Sequence, residues 1–299
     1  MKFLINIALK NMFRNKLRTI VSILAIAFAV MVIVFTRGLI DGMIEDTYSL
    51  YINYDTGHIK IIDQEYEQKE KLLSLNYTVN GLKNRSLKEM QRDLNSLEGI
   101  KMVIPRLKFG AAVSTEEELV KMLAWGVDGK KELEFTNLER ELNRGRMVKT
   151  GRREVVMGAE LLNKINRSVG QKVTMVYTTA FSSFQGATFE IVGEIKSNLP
   201  LLNEQVVFMP IDTAQKLLYL DSEATELLLV TEDRDNVQEF LPQVKNYLYK
   251  NGGEKYLAQN WREGNSFIQM LEVSEKIYFA VYIFLVLLAS IVVINTMVM

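Results

Sequence analysis

Two uncharged apolar runs, Thr19–Thr36 and Ile277–Met299, bracket a polar stretch over residues 37–276. At about 1.5 Å of rise per residue each run covers roughly the 30 Å hydrocarbon core of a bilayer, the first only just. The chain therefore reads as a membrane protein with transmembrane helices over 19–36 and 277–299. Residues 37–276 form one extramembrane region whose two ends return to the same membrane face. Lys2, Lys10, Arg14, Lys16 and Arg18 precede the first run without an acid, whereas Arg37 beyond it is soon followed by Asp41, Glu45 and Asp46. That asymmetry predicts a cytoplasmic N-terminus and an extracytoplasmic central domain. A cleaved signal peptide fits less well, because the run is longer than a typical signal core and no small-residue cleavage site follows at Phe35-Thr36-Arg37-Gly38. Within residues 1–18, Phe3, Leu4, Ile7, Ala8 and Met12 share one helical side and Lys10, Arg14 and Arg18 the other, the pattern of an amphipathic elbow lying on the inner membrane surface.

Lysine plus arginine and aspartate plus glutamate both number 36, so no net field draws the chain to nucleic acid. There is no cysteine, and the outer domain must hold itself with a packed core. Histidine occurs once, at His58 beside a predicted strand, where a structural role is expected. A zinc site or a nucleophile–histidine relay would have to be built around that single imidazole. The chain contains no His-Glu-x-x-His, no Gly-x-Ser-x-Gly and no Gly-x-x-x-x-Gly-Lys-[Ser/Thr], so neither catalysis nor phosphate cradling is expected of it. No metal site and no cofactor site is assigned.

The central region alternates strand and helix patterns. The first span continues as a helix through Tyr51, and Gly57 precedes a strand at His58–Ile62. Gln64–Lys71 reads as a solvated surface. Ser86-Leu87-Lys88-Glu89 has capping-box spacing ahead of a helix with Leu87, Met90, Leu94 and Leu97 on one face, and Gly99 ends it. Strands are predicted at Ile100–Ile104 and Lys108–Ser114, separated by Pro105, and at Leu119–Val127, Gln171–Tyr177, Thr188–Ile195, Val206–Met209 and Glu226–Thr231. Helices are predicted at Asn137–Asn143, Ala159–Ile165, Asp212–Leu220 with Asp212 as N-cap, and Asn236–Tyr249, followed by a loop at Asn251–Glu254. The fold class is α+β with an inserted β-rich subdomain at about 116–198, between two transmembrane helices.

Certain residues carry a resemblance. Ala8-Leu9-Lys10-Asn11-Met12-Phe13-Arg14-Asn15-Lys16-Leu17-Arg18-Thr19 resembles the basic elbow of permeases in the MacB, FtsX and lipoprotein-releasing (LolC/LolE) superfamily of ABC transporters. Gly158-Ala159-Glu160-Leu161-Leu162, Val169-Gly170-Gln171-Lys172-Val173-Thr174, Phe189-Glu190-Ile191-Val192-Gly193-Glu194-Ile195, Phe208-Met209-Pro210-Ile211 and Ala214-Gln215-Lys216-Leu217-Leu218 follow in the order of the family's extracytoplasmic core. Asn260-Trp261-Arg262-Glu263 and Ile294-Asn295-Thr296-Met297-Val298-Met299 look most like the lipoprotein-releasing branch. The order and spacing, over nearly the whole chain, carry the resemblance.

The resemblance implies a MacB-like periplasmic core with a porter-like part and the inserted β-rich subdomain. It further implies a multi-pass permease subunit in the inner membrane, working with a separate cytoplasmic ABC ATPase that binds ATP and Mg, and with a second permease subunit, identical or different. The family pattern has four membrane helices, so the chain is expected to be truncated after the second. A lipoprotein or other amphiphile taken from the outer leaflet is the implied cargo. Leu39, Met43, Phe267, Met270, Leu271 and Tyr278 are the candidate substrate or helix interface, with packing against membrane lipid or a partner permease as the plain alternative. In the releasing branch the interval Thr178–Ala187 docks a periplasmic lipoprotein carrier in one subunit. Here it lacks prolines, and Phe181 and Phe184 are the candidate anchors, against the commoner fate of loop aromatics, which tuck back onto their own domain. A two-span sensory receptor and a polysaccharide chain-length regulator share the topology and remain alternatives.

Overall fold

The computed structural model describes residues 16–115, 118–136, 138–263 and 266–298. The elbow expected over 1–15 lies outside them. The chain divides into two compact units, residues 1–50 with 265–299, and residues 51–264.

In the first unit, helix α1 spans Lys16–Tyr51 and a last helix spans Ser266–Val298. Apolar side chains of α1 from Leu17 to Met43 are exposed almost throughout, which water would penalise and lipid would not. By length and composition α1 suffices to cross a membrane. Ile26, Ala29, Val30 and Ile33 share an apolar groove with Val286, Ser290 and Ile294, and Tyr48 Oη lies 3.4 Å from Glu275. Early α1 thus neighbours the late part of the last helix, so the two run antiparallel.

The second unit is built from strands β1 (Ile59–Asp63), β2 (Gly81–Leu82), β3 (Arg85–Ser86), β4 (Ile100–Ser114), β5 (Leu119–Val127), β6 (Leu142–Gly145), β7 (Glu154–Gly158), β8 (Lys172–Thr178), β9 (Phe184–Ile195), β10 (Val206–Pro210), β11 (Glu226–Thr231) and β12 (Tyr256–Asn260). Its helices are α2 (Gln64–Lys69), α3 (Leu87–Asn95), α4 (Gly129–Thr136), α5 (Ala159–Lys164), α6 (Pro200–Glu204), α7 (Ile211–Leu218) and α8 (Val237–Lys250), which makes Ser266–Val298 α9. Two sub-lobes share one continuous sheet.

The first sub-lobe runs β1-α3-β4 and later β11-α8-β12, with strand order β12-β1-β11-β4 and every neighbour antiparallel. This is a split β-α-β arrangement used twice. The predicted capping box closes α3: Ser86 Oγ accepts from Glu89 N while Glu89 accepts from Ser86 N at 2.7 Å. Leu87, Met90 and Leu94 turn inward, as their spacing requires.

The second sub-lobe is inserted between β4 and β11. Strands β4, β5, β10, β7, β9 and β8 pair in succession, and β8 returns to β4 through Ala111–Tyr177 and Ala112–Val176, closing a barrel. Alternation decides the filling: Val173, Met175 and Tyr177 of β8 and Ala187, Phe189 and Ile191 of β9 point inward among Phe109, Met122, Met157, Met209, Leu161 and Leu218. The α+β class with an inserted β-rich part holds. The insertion begins on β4 near Arg106 and ends at Thr225, wider than 116–198 in both directions.

Several local expectations are corrected. Residues 100–114 form one strand, because Arg106 O accepts from Thr225 N and so faces β11; Pro105, alternating with it, directs its missing donor to the other edge, where β5 pairing has not begun. Asp212 is not an N-cap. Pro210 holds that position, and the Asp212 carboxylate accepts from Gly151 N at 2.9 Å. The helix expected at Asn137–Asn143 is a single 3-10 turn at Leu138–Arg140 leading into β6, where pairing with β9 wins. Residues 64–72 are helical, with Glu65, Glu67 and Lys71 exposed as expected, Lys69 and Glu70 partly so, and Tyr66 buried beneath them. Strand β12, whose register with β1 runs from Asn260 to Tyr256, was not anticipated.

Gly158 closes β7 and caps α5 where Leu202 and Asn203 approach, and a Cβ there would fall inside their carbonyls. Gly158→Ala is expected to cost about 1–3 kcal/mol by forcing the backbone apart. In denaturant unfolding followed by tryptophan fluorescence, the midpoint should fall without a change of fold.

Candidate functional site: a buried charge clamp on the turn that ends the first helix

Helix α1 does not fray into solvent. Past Tyr51 the chain widens into one π turn, Ile52–Thr56, with Ile52, Tyr54 and Thr56 buried. Gly57, at φ +60°, closes it by donating to Ile52 O at 2.8 Å, where Leu228 crowds the space a side chain would need. The last carbonyls of a helix have no intrahelical donors. Here those of Asn53 and Tyr54 accept from Arg106 Nη2 at 2.7 Å and Nη1 at 2.9 Å. The same guanidinium meets Glu132 through Nη2–Oε1 at 2.5 Å and Nε–Oε2 at 3.2 Å. Both side chains are fully buried. A planar five-donor fork can serve two carbonyls and a carboxylate at once, and its charge sits at the negative end of the helix dipole.

Each partner is fixed from its own side. Arg106 pairs with both Glu226 of β11 and Val127 of β5, the residue at which β4 passes from one sub-lobe to the other. Thr225 holds that seam, with Thr225 N and Oγ1 donating to Arg106 O at 2.9 and 3.1 Å and Oγ1 accepting from Lys108 N at 2.9 Å. Glu132 lies in the first turns of α4, which Asp128 opens by accepting from Lys130 N and Lys131 N. Trp125 floors the site, its ring 5.3 Å from Arg106 Cζ and 5.1 Å from Lys108 Nζ.

A second ring grips the same turn. Lys108 Nζ lies 2.9 Å from Glu226 and 3.4 Å from Asp55; Lys60 Nζ lies 3.4 Å from Glu226, 3.9 Å from Asp55, and contacts Glu70. Burial alone would lower the Lys60 ammonium pKa, but Glu226, Asp55 and Glu70 outweigh it and raise it above the ordinary lysine range. Burial opposes the Asp55 charge, yet Lys60 and Lys108 hold its carboxyl below the usual value. The turn is therefore held at three consecutive residues.

None of these residues was singled out from the sequence. The available signal was the placement of Lys60, Arg106 and Lys108 inside apolar strand patterns, Ile-Lys-Ile-Ile and Ile-Pro-Arg-Leu-Lys-Phe. Of the anticipated residues, Leu39 and Met43 stand exposed on α1, Met270 and Tyr278 stand exposed on α9, and Leu271 is half-buried there. Phe267 belongs to α9, with its side chain outside the described set. Phe181 and Phe184 lie on a hairpin tighter than expected, since β8 and β9 pair out to Thr178–Phe184. Both are outward, 75% and 84% exposed, and Phe181 tilts toward Tyr219 with ring centroids 6.1 Å apart. Among the described residues no cluster of three or more His, Asp or Glu side chains could hold a metal.

Together, an apolar helix able to cross a bilayer and a split β-α-β domain with an inserted barrel, whose clamp holds the π turn Ile52–Thr56, define a membrane protein that carries a folded domain outside the bilayer. Residues 19–247 match the family described as MacB-like periplasmic core domain, and the chain belongs to that family. No curated protein sequence matches it. The periplasmic region of MacB from Actinobacillus actinomycetemcomitans aligns with a TM-score of 0.51 at 14% identity, covering 74% of this chain and 95% of that one, and shares the fold. The extracellular domain of the noncanonic ABC-type transporter YknZ from Gram-positive bacteria aligns at 0.48 and 16% identity, covering 68% and 99%. A domain of a putative permease protein from Porphyromonas gingivalis aligns at 0.41 and 10%, covering 68% and 88%.

Removing Arg106 alone leaves Glu132 charged and buried, so Arg106→Met should destabilise by about 3–5 kcal/mol. Adding Glu132→Leu should recover part of that and not all, because the Asn53 and Tyr54 carbonyls still lack donors; a double-mutant cycle in denaturant measures both.

His58 supplies a pH dependence. Its Nδ1 accepts from Thr231 N at 3.0 Å, and burial, with Arg234 adding to it, pushes its pKa down to about 4 from 6.5. A depressed folded pKa means that the unfolded chain binds the proton first, so stability is full above pH 6.5 and falls as pH drops toward 4. His58→Gln should flatten that decline in urea titrations across this range.

Proposed function

We propose that this chain is a non-catalytic permease subunit of an ABC transporter, coupled to a separate cytoplasmic ATPase that binds the ATP and Mg. The observation that carries the reading is the clamp: a MacB-like core grips, at Asn53, Tyr54 and Asp55, the turn that continues an apolar 36-residue helix. A domain fixed this way to a membrane helix receives whatever motion that helix undergoes. The N-terminus is cytoplasmic and the 51–264 unit extracytoplasmic, in a multi-pass protein of the inner membrane, as the charge asymmetry around the first span supports.

The cargo reading is a lipoprotein or another amphiphile extracted from the outer leaflet, as in the lipoprotein-releasing branch. Exposed Leu39, Met43, Met270 and Tyr278, with Leu271 and Phe267 on α9, are the surface against which it, membrane lipid or the second permease subunit would pack. The outward Phe181 and Phe184 support contact of the hairpin with a periplasmic lipoprotein or carrier.

The deciding experiment is detergent co-purification of the tagged full-length gene product from its native host, with every co-eluting protein identified and ATP hydrolysis assayed. A stoichiometric ATPase and a second permease copy or paralogue are expected. Should none co-elute even after crosslinking, the permease reading falls, and a two-span receptor or chain-length regulator replaces it.

A further inference from the structure

Arg106 occupies a position that a merely stabilising ion pair would not need. Its backbone is the position of β4 that pairs with both β11 and β5, Glu226 of the split layer on one side and Val127 of the barrel on the other. Its side chain reaches the carbonyls of Asn53 and Tyr54 and, on its other edge, Glu132 of α4, the helix that directly follows β5. The turn, the split layer and the barrel therefore converge on one guanidinium.

We propose that Arg106, braced by Glu132, is a coupling joint: a positioning residue through which displacement arriving along the chain at Tyr51 tilts the barrel against the split layer. The proposal rests on the permease reading. The argument is geometric. A pull or twist transmitted past Tyr51 acts on carbonyls that are hydrogen-bonded to Arg106, and these bonds are short, charge-assisted and buried, so they yield less than the surrounding apolar contacts. The force then enters at the seam, where β4 has left β11 and begun pairing with β5, and where Pro105 leaves one edge without a donor. Lys108 and Lys60 hold Asp55 on the same turn and keep it from rotating about the guanidinium alone.

The test uses the full-length chain in its purified complex; residues 1–299 hold no cysteine, and any cysteine elsewhere in the complex is replaced by serine before two labels are introduced. Spin labels at Lys172→Cys on β8 and Lys245→Cys on α8, both exposed, report the barrel against the split layer. The distance distribution is measured by pulsed electron resonance without nucleotide and with ATP and vanadate. A nucleotide-dependent shift is expected in the otherwise unaltered chain. Arg106→Lys keeps the charge opposite Glu132, so the domain should fold, but an ammonium cannot bridge both carbonyls and the carboxylate. The shift should at least halve while co-elution and the melting midpoint persist.

Should Arg106→Lys fail to fold, Asp55→Asn loosens the grip at a partly exposed residue and should also reduce the shift. A full shift in either folded variant overturns the joint. An unaltered chain whose ATPase hydrolyses while the distance stays fixed overturns the joint alone. Absence of any ATPase overturns the permease reading and the joint with it.

Discussion

A helix that leaves a membrane and enters a folded domain must surrender its last carbonyls to something. In water they would hydrate; inside the domain each unpaired group costs about 1–3 kcal/mol. The chain meets this with the Arg106 guanidinium, which supplies donors to Asn53 and Tyr54 together. That choice commits the rest of the site. A buried guanidinium requires a counter-charge, which places Glu132 on α4. The next residue of the turn, Asp55, then needs cations, and Lys60 and Lys108 reach it while neutralising Glu226. Surface pairs such as Arg37–Asp41 are worth roughly 0–1 kcal/mol and do not shape the fold; the clamp does.

The seam explains how a barrel can be inserted in a split layer without a break in the sheet. At about 3.4 Å per residue, the 15 residues of β4 are long enough to serve both sub-lobes. The first half pairs with β11 and the second with β5 and β8, so the insertion returns at Thr225 beside its departure at Arg106. Adjacent entry and exit leave the parent layer intact, as domain insertions require.

Much of this architecture was readable from residues, and the reason is period. The capping box at Ser86–Glu89 and strands β5 and β8 carry strong local patterns, and each of those elements formed, β8 one residue further along than expected. Errors concentrated where a long-range partner outvotes a local signal. Pro105 reads as a break and is tolerated because β5 starts one residue later; Asp212 reads as a cap and instead binds Gly151, distant in sequence. The site itself was illegible for the same cause. Its members come from five separated segments, 53–55, 60, 106–108, 132 and 226, and each alone looks like an ordinary charge beside a strand or in a helix.

An apolar core at the same place would satisfy burial more cheaply, since buried ion pairs are often no more stable than well-packed hydrophobic replacements. Such a core cannot satisfy carbonyls. The charged solution is imposed by burying the turn Ile52–Thr56 inside the 51–264 unit rather than leaving it at the surface, and that burial has a mechanical consequence. Apolar packing lets a helix end slide by small steps, whereas directional bonds to two adjacent carbonyls fix its rotation as well as its depth.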